Sequence, residues 1–462
     1  MNQARQITCH CIISHPTAAK FLVIKHADGW SPPVALLSDD RSIVSQVEQL
    51  NQGMMDNYGF LTVALRRLAS SPGYRCLELE MLSPRGREGL QAVWVGRKEY
   101  SKYRRSSPNQ YDPMAAWLDE KEKGIIPDVR PPWENTGWFA LARDWIQQSV
   151  KRLNIHQTGP VEQYRAFRTT SCILRVPAGG SYLYFKACMN ARPAEAALTG
   201  ALAEKWPQYI EKPLLTDEER NWMLSWDYGS PQQIRPAYVD YPQVARMLAE
   251  IQLGSLESIS EWRRLGCIET TLSQLSDFAG DLDKLTGLLS AGGGEMALSE
   301  EELRLVTGAA SQLQAALEKL AGYNIPDMLV HPDVWFTNIN RKGDGFTLND
   351  WSGTRIANPF FSLIKLIRFR ELELENRMPA QGDPSGDDEL IERIVGQYLE
   401  VFRQFETPQR LANAMALVRE VHHLWRLFVW HEALAFEEDM SPSYQSNVRH
   451  LQRIARQMIE AK

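Results

Sequence analysis

Hydrophobic residues follow two different periods in this 462-residue chain, and the change near residue 238 sets the strongest limit on its architecture. Before that point, short β-rich runs such as "ITCHCIIS" and "YLYFKA" alternate with a few helical stretches. After it, nearly every segment has a helical period, apart from residues 328–351. Because the chain is too long for one typical core, we expect an α+β protein of two or three domains.

Composition and charge exclude several classes of protein. Hydrophobic residues make up 44% and charged residues 23%, which is typical of a soluble globular chain. The net charge of -6 gives no global attraction to nucleic acid or to an anionic membrane. No apolar run approaches the roughly 18 residues of a membrane span, and the first residues lack an apolar signal core. Six scattered cysteines favour reduced thiols, so we expect a cytoplasmic protein.

Proline and charge mark a boundary in the first third of the chain. The passage "DEKEKGIIPDVRPPWENTG" covers roughly residues 120–137 and is followed by an amphipathic helix near 138–153. That helix carries Trp138, Leu141, Trp145 and Val150 mostly on one side. Residues 171–188 then predict a β-hairpin, with Pro177, Gly179 and Gly180 in the turn. The run "NWMLSWDYG" predicts an apolar strand that leads into a turn.

The segment "DMLVHPDVWFTNINRKGDGFTLNDWSG" interrupts the helical half. "MLV" and "FTLNDW" predict two short strands, with Gly343 and Gly345 in the turn between them. Asp333 and Asn338 then lie on the loop after the first strand. Asp350 ends the second strand and lies close to them if the two strands pair.

Two carboxylates and one carboxamide would converge in that arrangement. Hard oxygen ligands of this kind suit Mg²⁺, which keeps several waters and shares the rest with substrate phosphates. The alternative is a packed corner of the core. On that reading the segment is explained by its aromatic residues, and we expect Trp335, Phe336 and Trp351 to pack in the core.

The pattern His331-x-Asp333-x4-Asn338, followed after a short hairpin by Asp350-Trp351, resembles the catalytic core of the aminoglycoside phosphotransferase and choline kinase family. The resemblance covers roughly residues 160–450 and implies a bilobal, protein-kinase-like fold. It places a small β-rich N-lobe at 160–235 and a helical C-lobe at 236–462, with the catalytic loop at 329–352. The chain departs from the family pattern at Pro332, at Val334-Trp335 and at Asn349.

The resemblance also implies a role for each motif residue. Asp333 would orient and deprotonate a substrate hydroxyl. Asn338 and Asp350 would hold Mg²⁺ against the nucleotide phosphates. His331 would brace the loop without reacting itself.

Upstream residues match the remaining parts of the family's nucleotide site in the expected order. Lys186, on a strand, would pair with the nucleotide phosphates and with Glu195 on the next helix. Thr169, Thr170 and Ser171 would supply hydroxyl and backbone N–H groups to the phosphates. Trp226, Asp227 and Tyr228 occupy the hinge position, where backbone atoms would meet the base. The implied co-substrate is ATP or GTP.

The first part of the chain is similar to a Nudix fold in its order of strands and helices. We expect this Nudix-like domain at residues 1–125, with a linker and connecting helix at 126–159. Nudix chemistry needs a helix with several metal-binding glutamates, and the corresponding stretch offers only Glu48 and Asp56. The domain is therefore expected to be structural or to gate substrate, without pyrophosphatase activity.

The activity implied is phosphoryl transfer from a nucleoside triphosphate to a hydroxyl of a small molecule. An antibiotic, an amino alcohol, a sugar or a biosynthetic intermediate would fit, and the oligomeric state is left open. Two alternatives stay open: a catalytically silent nucleotide-binding pseudokinase, and a protein or peptide kinase. Acidic residues often hold cationic acceptors in this family. The candidates here are Glu371, Glu373, Glu375, Glu432, Glu437, Glu438 and Asp439.

Overall fold

A computed structural model of the chain divides into two compact units. The first unit comprises Met1–Met189 and Phe436–Ser446, and the second comprises Asn190–Ala435 and Asn447–Lys462. The structure describes all residues except 1–5, 27–28, 39–42, 84–85, 101, 103–111, 125, 168–169, 190–193, 229–236, 293–295, 369–386, 439–440 and 461–462.

Two small sheets form the start of the first unit. Their elements are β1 (Gln6–Ile13), β2 (Phe21–His26), β3 (Gly29–Ser31), β4 (Val34–Ser38), α1 (Ile43–Tyr58), β5 (Thr62–Ser71), β6 (Tyr74–Met81) and β7 (Ala92–Val95). One sheet has the order β4-β1-β6-β5, in which only β1 and β6 run parallel. The other has the order β3-β2-β7 and is antiparallel. The Nudix-like assignment of this region remains a prediction.

The rest of the first unit adds helices and a three-stranded antiparallel arrangement. The elements are α2 (Arg97–Tyr100), α3 (Pro113–Lys123), α4 (Trp138–Arg152), β8 (Glu162–Arg165), β9 (Ser171–Ala178) and β10 (Ser181–Cys188). The predicted hairpin is confirmed, because Gly179 and Gly180 form its turn with φ of 56° and 82°. Pro177 was expected in the turn but lies in β9 opposite Tyr182. The two glycines alone supply the left-handed backbone that the turn requires.

Two buried arginines, Arg66 and Arg130, form ion pairs that join residues distant in sequence within the first unit. Arg130 binds the Glu120 carboxylate at 2.6 Å and Glu438 at 3.0 Å. Arg66 binds Glu78 at 2.6 Å and Glu120 at 2.7 Å. Since Arg130 and Glu438 are 308 residues apart, their pair helps to fix the segment Phe436–Ser446 in this unit.

Helices dominate the second unit, as the helical period predicts. Its helices are α5 (Glu195–Lys205), α6 (Tyr241–Ser255), α7 (Ile259–Arg264), α8 (Leu272–Gly280), α9 (Thr286–Leu289), α10 (Glu300–Gly308), α11 (Ala310–Ala321), α12 (Ile364–Ile367), α13 (Asp387–Leu399), α14 (Pro408–Leu434) and α15 (Pro442–Glu460), the last from residue 447 onward. The expected α+β class is confirmed. The described helices include none that is long and apolar enough to cross a membrane.

Short strands accompany these helices and position the loop of interest. They are β11 (Leu215–Asp217), β12 (Trp222–Trp226), β13 (Ile268–Glu269), β14 (Met328–Val330), β15 (Ile339–Lys342), β16 (Gly345–Leu348) and β17 (Arg355–Ala357). β11 and β12 form a hairpin, β15 and β16 form another, and β14 pairs with β17. The strands "MLV" and "FTL", whose pairing the sequence left as a condition, therefore do not pair with each other. The tight turn at Gly343 pairs β16 with the strand directly before the turn, which is β15 (residues 339–342).

One large hydrophobic core fills the second unit. It includes Trp335, Phe336 and Trp351, which are buried as the sequence predicts, and Trp425 of α14. Phe361 and Trp425 stack face to face, with ring centroids 4.3 Å apart. All six cysteines of the chain are buried, and none is in a disulfide. The four-part domain division remains a prediction.

Candidate active site

The loop that carries Asp333 begins at a buried strand held by a polar network. β14 is fully buried, and its Leu329 lies opposite Ile356 of β17. The side chain of Gln252 on α6 donates hydrogen bonds to the Leu329 carbonyl at 3.1 Å and to Ser362 Oγ at 3.1 Å. Ser362 Oγ also accepts from the backbone N–H of His331 at 3.0 Å. Because buried polar groups need partners, this network fixes where the loop starts.

His331 connects the loop that carries Asp333 with the end of the β15–β16 hairpin at Asn349. Its Nδ1 accepts a hydrogen bond of 3.1 Å from the backbone N–H of Asp333. Its Nε2 therefore carries the proton and donates to the backbone carbonyl of Asn349 over 3.1 Å. Burial lowers the pKa of His331, which favours the neutral ring that this pattern needs. The ring also meets Trp351 edge-on, with centroids 4.8 Å apart.

Asn338 lies where the loop enters the β15–β16 hairpin. Its Nδ2 donates to the backbone carbonyl of Asp333 at 2.9 Å. Its own carbonyl accepts the backbone N–H of Asn349 at 2.8 Å. These bonds hold the loop to the end of the hairpin. They hold Asp333 and Asn338 to Asn349, the residue directly before Asp350, although β14 and β16 do not pair.

Asp350 has a backbone conformation that non-glycine residues adopt rarely. Its φ is 64°, in the left-handed region, and Ser352 Oγ donates to its Oδ1 at 2.7 Å. Residues held in this region often belong to functional sites, where the surrounding structure offsets a cost of roughly 1–3 kcal/mol. The conformation follows directly after β16 and sets the direction of the carboxylate.

The donor set fits a hard divalent cation. With Nδ2 of Asn338 donating to a carbonyl, its Oδ1 is the atom left as a ligand; it accepts one long hydrogen bond of 3.4 Å, from Thr337 Oγ1, and keeps a second lone pair. Asp350 adds a carboxylate, and oxygen donors of both kinds suit Mg²⁺. Among the described residues, there is no group of three or more His, Cys, Asp and Glu side chains that could hold a metal ion. The phosphates of a nucleotide would have to complete the coordination.

Asp333 has a partner that the sequence motif does not include. Lys365 Nζ donates to Asp333 Oδ1 in an ion pair. Both side chains are partly open to solvent, with 38% exposed for Lys365 and 45% for Asp333. Lys365 is 32 residues from Asp333 and belongs to no spacing pattern, so no sequence signal could have identified it.

A cavity of about 260 Å³ adjoins the same hairpin within the second unit. Trp226, Asp227 and Tyr228, which the sequence places at the hinge position, contribute to its lining. Asn340 of β15 and Thr347 of β16, cross-strand partners, also line it. The Thr347 hydroxyl is buried and has no hydrogen-bond partner among the described residues. The remaining lining residues are Glu211, Lys212, Leu214, Ser225, Arg341 and Lys342.

The other proposed nucleotide residues lie on well-defined elements. In the first unit, Lys186 is on β10 opposite Ile173, Ser171 begins β9, and Thr170 directly precedes it. Thr169 is outside the described residues. In the second unit, Glu195 begins α5 and is only 1% exposed. The roles of these residues in nucleotide binding remain predictions.

The acidic residues considered for a cationic acceptor are partly engaged elsewhere. Glu432 binds Arg355 at 2.6 Å, and Glu438 of the first unit binds Arg130 at 3.0 Å. Glu437 is buried. Glu371, Glu373, Glu375 and Asp439 lie outside the described residues.

Comparison with known proteins gives matches among solved structures only. No family model and no curated protein matches the sequence. A macrolide 2'-phosphotransferase type I matches with a TM-score of 0.44 and 13% identity, covering 68% of this chain and 97% of that one. A choline/ethanolamine kinase family protein from Mesorhizobium loti matches with a TM-score of 0.42 and 15% identity, covering 68% and 95%.

A third match is a spectinomycin phosphotransferase in complex with ADP and spectinomycin. It has a TM-score of 0.40 and 10% identity, and the match covers 68% of this chain and 98% of that one. These proteins are phosphotransferases and kinases, which is the class that the motif around Asp333 resembles. With TM-scores below 0.5, the functional proposal depends on the residues of the site itself.

Proposed function

We propose that this protein is a Mg²⁺-dependent phosphotransferase. It transfers the terminal phosphoryl group of ATP or GTP to a hydroxyl of a small molecule. The observation that carries the proposal is the hydrogen-bonded link through His331. That link holds Asp333 and the residue before Asp350 in one arrangement, with Asn338 bonded to both sides.

The reaction follows from the chemistry of these groups. The acceptor oxygen attacks the γ-phosphorus, the bond from that phosphorus to the bridging oxygen breaks, and a nucleoside diphosphate leaves. The hydroxyl proton passes to the carboxylate of Asp333, which also orients the oxygen. Asn338 and Asp350 would hold Mg²⁺, which when bound neutralises charge on the phosphates.

The cavity beside the hairpin is the proposed site of the nucleotide base. Trp226 and Tyr228 are each 39% exposed, so apolar ring surface is available for stacking. The unpartnered Thr347 hydroxyl is a hydrogen-bonding group that a bound base could satisfy. From the resemblance, Lys186, Glu195, Thr170 and Ser171 are proposed to serve the phosphates.

A silent nucleotide-binding protein is the main rival. The retention of both a base and two metal ligands in one braced arrangement favours turnover over binding alone. A peptide acceptor is the second rival, and the identity of the acceptor class decides between it and a small molecule.

The test is incubation of the full chain with labelled ATP, Mg²⁺ and a fractionated metabolite extract. Mass spectrometry should reveal a product heavier by about 80 Da, the mass of a transferred phosphoryl group. The Asp350→Asn variant should form no such product. Stoichiometric nucleotide binding without hydrolysis or transfer in any fraction would favour the silent reading. A labelled polypeptide, with no small product, would favour the peptide kinase.

A further inference from the structure

The ion pair between Lys365 and Asp333 places a cation on the proposed catalytic base. A base that accepts the acceptor's proton needs at least one carboxylate oxygen facing that hydroxyl. Lys365 Nζ donates to Oδ1 of Asp333, and both side chains are partly open to solvent. A group entering beside Asp333 therefore meets the ammonium of Lys365 at the same time as the carboxylate.

The backbone of Lys365 is held firmly by its neighbours. It lies on the short helix α12, where Ile364, Leu366 and Ile367 are all buried. Phe361, four residues before Lys365 in the turn that leads into α12, stacks on Trp425. Because the flanking side chains pack in the core, the backbone at Lys365 is rigid, and the lysine side chain extends towards solvent. Its own flexible stem lets Nζ shift between partners.

Further positive charge lies near Lys365 in the second unit. His450, whose ring centroid is 4.3 Å from that of Trp430, experiences the charges of Arg426, Arg453 and Lys365 in addition to burial. Burial chiefly, then these cations, lowers the pKa of His450 to about 3. Of the described acids considered for a cationic acceptor, Glu432 is committed to Arg355. Lys365 is thus one of three cations that act on the same ring, and such a group attracts an anionic ligand.

We propose that the acceptor carries an anionic group, a phosphate or a carboxylate, near the hydroxyl that is phosphorylated, and that Lys365 binds this group. The inference rests on the proposed function. Without acceptor, Lys365 pairs with Oδ1 of Asp333, and a proton transferred to that carboxylate would break the ion pair. When the acceptor binds, its anion takes over the ammonium of Lys365. Asp333 is then released to accept the hydroxyl proton, so transfer is coupled to binding of the correct acceptor.

This change of partner by Lys365, from Asp333 to the anion of the acceptor, also limits hydrolysis of the nucleotide by water. In that side reaction water attacks the γ-phosphorus, the bond to the bridging oxygen breaks, and a proton of the water passes to Asp333. While Lys365 occupies Asp333, this proton transfer is hindered. A small anion that binds Lys365 should release the carboxylate and stimulate hydrolysis in the absence of any acceptor.

The first experiment measures hydrolysis of Mg-ATP by the full chain, with sodium sulfate and sodium acetate as probes and sodium chloride at matched ionic strength as control. Lys365→Met should raise basal hydrolysis by about tenfold, a part of the roughly 10²- to 10⁴-fold that a placed general base supplies. It should also abolish stimulation by the anion. Stimulation by sulfate alone would indicate a phosphate-like group, and stimulation by acetate alone a carboxylate.

Two matched variants make the result specific. Lys365→Arg keeps the charge and should retain low basal hydrolysis. Lys284→Met removes a comparable lysine–aspartate pair, that of Lys284 with Asp281 at 2.8 Å, and should behave as the unsubstituted protein. Unchanged or lower hydrolysis in Lys365→Met, with normal nucleotide binding, would overturn the proposal.

A second measurement does not depend on turnover. The anion-dependent rise in Tm should be smaller in Lys365→Met than in Lys284→Met, because general salt effects are equal in both. A smaller rise in a protein that shows no phosphotransfer would support the anion site and contradict the proposed function. An equal rise would exclude anion binding by Lys365, whatever the protein catalyses.

Discussion

The Nε2 atom of His331 donates a hydrogen bond of 3.1 Å to the backbone carbonyl of Asn349. The other ring nitrogen holds the backbone N–H of Asp333 at the same distance. One neutral imidazole thus fixes the loop of the proposed base and the residue next to the proposed metal ligand Asp350. The two bonds can be removed separately, because asparagine mimics one ring nitrogen and glutamine the other.

His331→Asn should keep the bond to Asp333 and leave the Asn349 carbonyl unpaired. His331→Gln should do the reverse. Each change leaves a buried group unsatisfied and should cost about 1–3 kcal/mol of unfolding free energy. His331→Asn should mainly weaken Mg-nucleotide binding, and His331→Gln should mainly lower kcat. Steady-state kinetics and urea titrations test this, with the exposed His156→Asn as control. Identical kinetic defects in both variants would contradict separate roles.

Buried histidines of α14 should make the protein sensitive to acid. Burial lowers the pKa of His422 to about 3 and that of His423 to about 2, against about 6.5 in the unfolded chain. The unfolded state therefore binds more protons below pH 6.5, and stability falls as pH decreases from there towards 3. At pH 5 the loss is roughly 2 kcal/mol for each histidine.

The difference between the unsubstituted protein and His423→Gln isolates this effect. Glu134, whose pKa is raised by burial to about 8, acts in the opposite direction but is common to both proteins. Urea titrations at pH 7.5 and pH 5 should show a smaller loss of stability in the variant. An equal loss would mean that His423 does not titrate on unfolding as described.

Mg²⁺ should bind together with the nucleotide. Asn338 and Asp350 provide too few ligands for a complete coordination shell by themselves. Calorimetry should show weak binding of Mg²⁺ alone, and Asp350→Asn should weaken Mg-nucleotide binding and turnover together. Asp344→Asn, in the turn of the same hairpin, should change neither. Tight Mg²⁺ binding without nucleotide would count against this metal site.

The N-terminal region should not hydrolyse nucleoside diphosphate derivatives. Glu48 and Asp56 are eight residues apart on α1, about 12 Å along the helix axis, which is too far to share one metal. Glu48 lies 3.8 Å from Arg175, and Asp56 accepts a hydrogen bond of 2.7 Å from Gln52. Incubating the full chain with such compounds and Mg²⁺ should leave them intact. Cleavage at an enzymatic rate that Glu48→Gln abolishes would refute this.

Local sequence signals predicted local structure well. The Gly179-Gly180 turn required a left-handed backbone that only glycine adopts easily, so the hairpin was visible in the sequence. Pairing beyond the turn was harder to predict. "MLV" is uniformly apolar and does not indicate its partner, which proved to be β17. Leu141 was placed on the apolar side of its helix, yet it is 66% exposed while Phe139 is buried.

In the site too, residues close together in the sequence could be predicted, and contacts between distant residues could not. His331, Asp333 and Asn338 lie within eight residues, so their spacing could be compared with a known motif. Lys365 reaches Asp333 only because β17 and the turns around it fold the chain back, which no short pattern encodes. The link from His331 to Asn349 likewise depends on a backbone carbonyl, and such groups leave no trace in residue identity.

Replacement of Asp333 by asparagine tests the central claim most directly. The change keeps the size of the side chain and removes its proton-accepting charge. The measurements are kcat for phosphoryl transfer, or for Mg-ATP hydrolysis until the acceptor is known, beside a nucleotide Kd and a melting curve. We predict a folded protein with nearly unchanged nucleotide affinity and a kcat lower by about 10²- to 10⁴-fold, equivalent to roughly 3 to 5 kcal/mol. A folded Asp333→Asn protein with unchanged phosphoryl transfer would contradict the role of Asp333 as base.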